Sequence, residues 1–313
     1  MTTLTQRVQA AEQVLLASGF DLKLTAESRL QCASLGLRAA TLPIAMAAAN
    51  IAIDEQPLTL RGLFYRVVSA GLLPSTDKKH YAAFGRLMGT LREKGFVPFE
   101  WITDGLRVTR KTNSWSGLAD FADTMRDCYR KDFWSDLPDY VHVICEKDAI
   151  AGTLQPVTDE FDVALSPIRG YSSKSFAHQI GMLWRDIEKP ISVFFLGDFD
   201  PRGFDLERDI KSKLERYSGK TFSWERLGIN ANDFAAFDLL PLAAKKGDKC
   251  YPKFLAAHGE RCAEIDALPS TELRRRVRDA IEQYVDQDRW QALLRVEQLE
   301  KETWQATLAR LGS

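Results

Sequence analysis

The chain has 313 residues, of which 45% are hydrophobic and 27% are charged, ordinary values for a globular protein with more than one folded unit. Its formal net charge is −1, so the overall charge gives no indication of a nucleic-acid partner. The five cysteines form no CxxC pair and the four histidines have no metal-ligand spacing. Both facts argue against a zinc site and against a disulfide framework.

The N-terminus lacks a signal-peptide pattern. The longest apolar stretch, 42–53, is too short to span a bilayer. We therefore expect a cytoplasmic protein that does not contact a membrane.

The first 56 residues are predicted to form a helical segment. Val8, Ala11 and Leu15 recur at helical spacing, and an alanine-rich helix is predicted over 41–53 with Pro43 in its first turn. We interpret this segment as a packing scaffold.

A basic segment follows at 58–111, with a net charge of +6 that leaves −7 for the rest of the chain. The pattern predicts a helix from Thr59 to Ala70, a second helix over 77–94 and a β-wing over 99–109. This order is typical of a winged-helix domain, whose second helix usually enters the DNA major groove. A solvated charged face is the alternative. We assign residues 57–137 to this domain, with these candidate phosphate contacts: Arg66, Arg86, Arg92, Lys94, Arg107, Arg110 and Lys111.

The first helix of that segment carries a candidate nucleophile. Arg61 and Tyr65 are four residues apart, so they lie together beside the apolar face of the helix. Because Tyr65 lies beside that face and not at its centre, we expect it to expose its hydroxyl next to the Arg61 guanidinium. A nearby cation favours the ionised form of a phenol. A tyrosine at such a position also commonly serves only in packing.

Acidic residues follow two predicted strands in the second half of the chain. Glu146 ends an apolar strand over 141–145, and Asp198 and Asp200 follow another over 191–196. A third strand is predicted over 163–169 and a helix over 172–187, which gives a parallel β/α unit. Ligands bind at the carboxyl ends of such strands, and side chains two residues apart point the same way, so Asp198 and Asp200 could face one hard cation. A polar strand-to-helix loop is the alternative.

The motifs LRGLFYR, ICEKD and GDFDPRG, in that order, resemble the A subunit of topoisomerase VI and the related meiotic double-strand-break protein. The resemblance extends to SWERLGI at 223–229 and CAEIDAL at 262–268, and it covers roughly 55–285. It implies an α/β and α+β multidomain protein, in which a winged-helix (CAP-like) DNA-binding domain precedes a Toprim domain with a central parallel sheet. The Toprim domain with its C-terminal helices would span 138–313. The chain looks most like the small, free-standing A-subunit relatives of bacterial mobile elements and phages.

The resemblance also implies residue roles. Tyr65 would be the nucleophile, with Arg61 and Glu146 as further catalytic residues. Mg²⁺, or Mn²⁺ in its place, would be held by Glu146, Asp198 and Asp200. Lys147 and Lys174 join the candidate DNA contacts. The expected partners are duplex DNA, a second copy of the chain and a separate ATPase B-type subunit, and the expected location is the nucleoid.

Three functions remain open from the sequence. The first is a DNA topoisomerase, an isomerase that cuts DNA through a phosphotyrosyl link. The second is a Toprim nuclease in which water attacks, with Glu264 and Asp266 helping to hold a second metal ion. The third is a DNA-binding subunit without catalytic activity.

Overall fold

The computed structural model describes residues 3–103, 112–170, 173–244 and 247–311, with side chains up to residue 307. The described residues combine helices with parallel strands, which confirms the expected mixture of α and β structure. None of the helices in these ranges has the length and apolar character needed to cross a membrane.

The N-terminal half is mostly helical. Thr3, Thr25 and Thr59 each cap a helix by accepting a hydrogen bond from a backbone N–H of the first turn. Gly71 (φ 72°) and Gly95 (φ 69°) adopt the left-handed conformation just after two helices, a conformation that glycine adopts without strain. The elements are α1 (Leu4–Ala17), α2 (Ala26–Ser34), α3 (Leu42–Glu55), β1 (Leu58–Thr59), α4 (Leu60–Ser69), α5 (Lys78–Glu93), β2 (Ile102–Thr103) and α6 (Leu118–Cys128).

Two elements in this half differ from the predictions where the structure describes them. The expected β-wing begins with a 3₁₀ turn, Phe99–Trp101, and only β2 follows, pairing parallel with β1. The rest of the predicted wing, 104–109, lies outside the described residues. The sequence pattern also predicts a helix over 115–137 between the domains. The observed helix is shorter, because α6 begins at Leu118 and ends at Cys128, and the chain is irregular from there as far as Asp139. Helices α1 to α5 share one hydrophobic core that includes Met46, Phe64 and Met88.

The C-terminal half contains a four-stranded parallel sheet. Its strand order is β4 (Ala164–Pro167), β3 (Tyr140–Cys145), β5 (Ile191–Leu196) and β6 (Ser223–Arg226). The connecting helices are α7 (Asp148–Glu160), α8 (Lys174–Arg185) and α9 (Pro201–Ser218). The sequence pattern predicts the last of these helices over 204–217. Helix α9 begins three residues earlier, at Pro201, because Asp200 caps it and proline suits its first turn.

Both faces of the sheet are covered, as expected for parallel strands that read as continuous apolar runs. Alternate residues of β3 point to opposite faces: Val143 packs in the core formed with α7, and Ile144 packs in the core formed with α8 and α9. The remaining elements are α10 (Asp233–Ala236), β7 (Leu242–Ala243), α11 (Tyr251–His258), β8 (Arg261–Cys262), α12 (Ser270–Glu282) and α13 (Gln287–Leu311). Helix α12 packs against α7, and α13 packs against α6.

Candidate functional site

The two acid-bearing strands are neighbours in the sheet. Strand β3 has β4 on one side and β5 on the other, so the strand order reverses between β3 and β5. A crevice opens at the carboxyl ends of strands at such a reversal, and it is the usual ligand-binding position in open α/β sheets. Glu146 and Asp198 lie at this point, since Cys145 pairs with Leu196 in the last register position.

Glu146 and Asp198 are linked through the backbone. The Asp198 N–H donates a 2.9 Å hydrogen bond to Glu146 Oε2, and the Ile265 N–H donates one of 2.8 Å to Asp198 Oδ1. Both side chains are buried. Burial raises the pKa of each carboxyl above its ordinary value. The charge of Asp200 adds to the rise at Glu146, and the charge of Glu146 adds to the rise at Asp198.

Asp200 lies at the start of α9 and caps it. Its Oδ1 accepts a 2.6 Å hydrogen bond from the Gly203 N–H. Gly203 packs directly on the Asp198 carbonyl, where a Cβ atom would collide with backbone. The Arg226 guanidinium holds the same loop, with Nη2 3.0 Å from the Gly197 carbonyl and 2.5 Å from the Asp198 carbonyl. The loop that carries both aspartates is therefore fixed from two sides.

A segment from the far end of the chain completes the crevice. Phe199 and Ala263 exchange backbone hydrogen bonds of 2.9 and 3.0 Å, so 261–268 runs beside the loop that carries the two aspartates. This pairing brings in Glu264 and Asp266, the latter with only 3% of its surface exposed.

Lys147 lies at the centre of these acids. Its Nζ is 2.9 Å from Asp198 Oδ1, 3.0 Å from Asp266 Oδ2 and 3.6 Å from Glu264 Oε2. The resemblance makes this lysine a candidate DNA contact, and in the structure its ammonium forms intramolecular ion pairs.

Helix α4 contacts the crevice through its first turn. The Thr59 hydroxyl donates to Asp266 Oδ1, and Arg61 pairs with both carboxylate oxygens of Glu264, at 2.5 and 2.7 Å. Gly62 allows the close approach, because a Cβ atom there would lie 3.2 Å from the Asp266 carbonyl oxygen. The tyrosine-bearing helix and the acid-bearing loops thus meet within one chain.

Tyr65 differs from expectation in its exposure. Only 4% of its surface is exposed, whereas we had expected an exposed hydroxyl. Arg61 does lie beside it, with the guanidinium carbon 5.9 Å from the ring centroid. Burial raises the pKa of the Tyr65 hydroxyl, and the charge of Glu264 adds to the rise, so the lowering by Arg61 is outweighed.

A cavity of about 500 Å³ lies where α4, α5 and the crevice meet. Tyr81 lines it, and the Arg61 guanidinium carbon lies 5.5 Å from the Tyr81 ring centroid. The sequence interpretation did not single out Tyr81, although its helical spacing from Phe84 placed it beside the apolar face of α5. The cavity is lined by Thr59, Leu60, Arg61, Tyr81, Arg92, Ile102, Thr103, Lys147, Ala149, Asp198, Glu264 and Asp266.

The remaining candidate DNA contacts fall into three groups. Arg86 and Lys174 are exposed. Arg66, Arg92 and Lys94 have intramolecular partners: Glu55 at 2.9 Å, the Phe99 carbonyl at 3.0 Å and the Leu35 carbonyl at 2.8 Å, respectively. Arg107, Arg110 and Lys111 lie outside the described residues.

The donor set suits a hard divalent cation, because Glu146, Asp198 and Asp200 all offer carboxylate oxygens. In each of these three carboxylates, one oxygen accepts a hydrogen bond described above: Oε2 of Glu146 and Oδ1 of each aspartate. The second oxygen of each carboxylate takes no part in those hydrogen bonds. Across the described ranges, no three His, Cys, Asp or Glu side chains are grouped closely enough to hold one ion. The carboxylate oxygens are ligands that suit magnesium. The three side chains would have to move closer together to bind one ion.

The sequence matches none of the protein-family models against which it was scanned, and no curated protein matches it.

Proposed function

We propose that this chain is a DNA-cleaving protein of the type IIB topoisomerase A-subunit kind, with a winged-helix domain followed by a Toprim domain. The observation that carries the proposal is the junction of α4 with the acid crevice. Arg61, four residues before Tyr65, pairs with Glu264, which lies beside Lys147 and the carboxyl end of β5. A helix that bears a tyrosine and an arginine thereby faces a set of carboxylates, and these groups suit the roles of nucleophile, phosphate-binding cation and metal ligand in phosphoryl transfer.

The proposed reaction is a transesterification. The Tyr65 oxygen forms a bond to the phosphorus of a DNA phosphodiester, and the bond from phosphorus to one sugar oxygen breaks. The phenol loses its proton and the departing sugar oxygen gains one, so the phosphotyrosyl link and the free hydroxyl together balance the starting groups. Glu264 pairs with Arg61, whose guanidinium lies beside the Tyr65 ring, and this carboxylate is the candidate acceptor for the phenol proton.

Magnesium, or manganese in its place, would be held by Glu146, Asp198 and Asp200 and would neutralise the phosphate charge. The chain's own cations would orient the DNA: Arg86 is exposed on α5, and the Arg61 guanidinium, which pairs with Glu264, lines the cavity. Two copies of the chain would cut both strands of a duplex, and an ATPase subunit would be a separate partner.

One observation favours a second candidate, a nuclease in which water replaces Tyr65 as the attacking group. Tyr65 is buried and its pKa is raised, so the phenol needs a structural change before it can attack. A nuclease would need only the acid crevice and its cavity.

The variant Tyr65→Phe separates the two candidates, because it removes the hydroxyl and keeps the ring. The assay is cleavage of labelled supercoiled DNA with Mg²⁺ or Mn²⁺, stopped with detergent and analysed with and without protease. Under the proposed function Tyr65→Phe loses cleavage and protein-linked DNA ends, while Tyr217→Phe, a tyrosine on α9 away from the crevice, behaves as wild type. Full-rate cutting by Tyr65→Phe, with no protein-linked ends from wild type, would establish the nuclease instead.

A further inference from the structure

Lys147 lies among three carboxylates. Asp198 and Asp266 lie within 3.0 Å of its ammonium and Glu264 lies at 3.6 Å, and these carboxylates come from two segments distant in sequence. The lysine directly follows Glu146 at the end of β3, so its backbone position is fixed by the sheet. One cation thus joins the loop after β5 to the segment 264–266.

The surrounding acids need this cation. Asp198 and Asp266 are buried, and a buried carboxylate without a counter-ion is strongly unfavourable. Each has one further donor, the Ile265 N–H for Asp198 and the Thr59 hydroxyl for Asp266, but neither donor carries a charge. Burial disfavours the charged form of Lys147, yet the carboxylates outweigh this effect and raise the pKa of the ammonium.

Asp198 is at once a partner of Lys147 and a proposed metal ligand. The ammonium contacts Asp198 Oδ1, and a cation bound between Glu146, Asp198 and Asp200 would repel a positive charge at that distance. Lys147 also lines the 500 Å³ cavity, so its flexible stem has space into which the ammonium can move.

We propose that Lys147 is the built-in counter-ion of the acid crevice, and that a divalent cation binds there by displacing its ammonium from Asp198 into the cavity, where it can hold a DNA phosphodiester oxygen. This inference rests on the metal-binding part of the proposed function. Lys147 is thereby a positioning residue whose ammonium changes its partner from the Asp198 carboxylate to a DNA phosphate. Cation binding and DNA binding then favour each other, because the first frees the charge that the second uses.

The first test uses the wild-type protein and amine acylation read by mass spectrometry. Without metal, Lys147 should react slowly because its ammonium is held by carboxylates. Saturating Mn²⁺ should raise its acylation rate about ten-fold, the change that corresponds to the loss of one close ion pair. Lys23, which pairs with Asp54 at 3.1 Å on the surface, is the internal comparison and should not respond. An unchanged rate at Lys147 in saturating Mn²⁺ overturns the inference.

The second test compares Lys147→Met with Lys23→Met by calorimetric titration with Mn²⁺ alone. Removing the competing ammonium should tighten Mn²⁺ binding about ten-fold in Lys147→Met, and Lys23→Met should bind as wild type does. Without metal the Lys147 variant should melt at a lower temperature than wild type, and Mn²⁺ should raise its melting temperature more than that of wild type. Unchanged or weaker Mn²⁺ binding by Lys147→Met, or no binding by either protein, overturns the inference.

If Lys147→Met does not fold, the acylation test on the wild type decides alone. The outcome is also distinguishable from failure of the proposed function. A Lys147 that responds to Mn²⁺ in a protein that forms no covalent DNA adduct supports the inference and removes the tyrosine mechanism. Adduct formation through Tyr65 with an unresponsive Lys147 does the reverse.

Discussion

The Thr59 hydroxyl donates a 2.5 Å hydrogen bond to Oδ1 of Asp266, a residue 207 positions further along the chain. The same hydroxyl oxygen accepts a 2.7 Å hydrogen bond from the Gly62 N–H and so begins α4. The junction is reinforced nearby, where Arg274 of α12 donates to the Pro57 carbonyl at 2.9 Å. One threonine thus joins the start of the tyrosine-bearing helix to the acid crevice.

The Thr59 hydroxyl should therefore contribute strongly to stability. Thr59→Val keeps the shape but removes the helix cap and leaves a buried carboxylate oxygen without a donor, so we expect a loss of about 2–4 kcal/mol in the free energy of unfolding. Thr59→Ser keeps the hydroxyl and should lose less than about 1 kcal/mol. Urea denaturation measures both, and equal losses in the two variants would contradict this role for the hydroxyl.

Gly203 and Gly89 are both helical glycines, but their surroundings differ. A Cβ atom at Gly203 would collide with the Asp198 carbonyl, whereas nothing lies within 4 Å of one at Gly89. We expect Gly203→Ala to destabilise the protein by about 1–3 kcal/mol through this overpacking. Gly89→Ala should instead stabilise it by up to about 1 kcal/mol, because alanine favours the helix. Thermal unfolding of the two variants should shift in opposite directions, and a shift of the same sign would refute the contrast.

His142 should make stability depend on pH. Its Nδ1 accepts a 3.2 Å hydrogen bond from the Trp184 indole N–H, so the neutral ring carries its proton on Nε2, which lies 2.9 Å from Ser166 Oγ. Burial lowers the pKa of His142 from 6.5 to about 4. The unfolded chain then binds more protons than the folded one between these values.

The contribution of His142 to the free energy of unfolding is therefore fully present above pH 6.5 and is lost as the pH falls through about 4. The total loss is about 3 kcal/mol. Urea denaturation across this range measures the slope. His142→Gln should flatten it, and His178→Gln, which changes an exposed histidine on α8, should leave it as in wild type. A wild-type slope in His142→Gln would show that other groups cause the dependence.

Arg86 is the clearest test of the basic segment, since it is exposed on α5. If it contacts a DNA phosphate, Arg86→Ala should weaken duplex binding and reduce the slope of log affinity against log salt by about 1. Arg216→Ala removes an exposed arginine from α9, outside the basic segment, and should leave the slope unchanged. Fluorescence anisotropy across a salt series measures both, and equal slopes for Arg86→Ala and wild type would place the DNA surface elsewhere.

The sequence by itself determined the elements that depend on neighbours in the chain. The apolar runs predicted β3 and β5 almost to the residue, since a strand covered on both faces needs continuous apolar side chains. The same apolar runs place Glu146, Asp198 and Asp200 just beyond the strand ends. The capping threonine and the terminal glycines predicted α4 and α5 to within about a residue. The winged-helix and Toprim identities of these units stay predictions.

Only the tertiary structure decided how the crevice is filled. The resemblance made Lys147 a candidate DNA contact, and only the structure shows that Asp266, 119 residues away, and Asp198 hold its ammonium. Tyr65 and Arg61 lie together on α4 as predicted, yet packing buries the tyrosine and Arg61 forms an ion pair with Glu264. Helical and strand periodicity fix which way a side chain points. The partner it meets depends on which distant backbone lies there, and here the pairing of Phe199 with Ala263 brings the segment 261–268 beside β5.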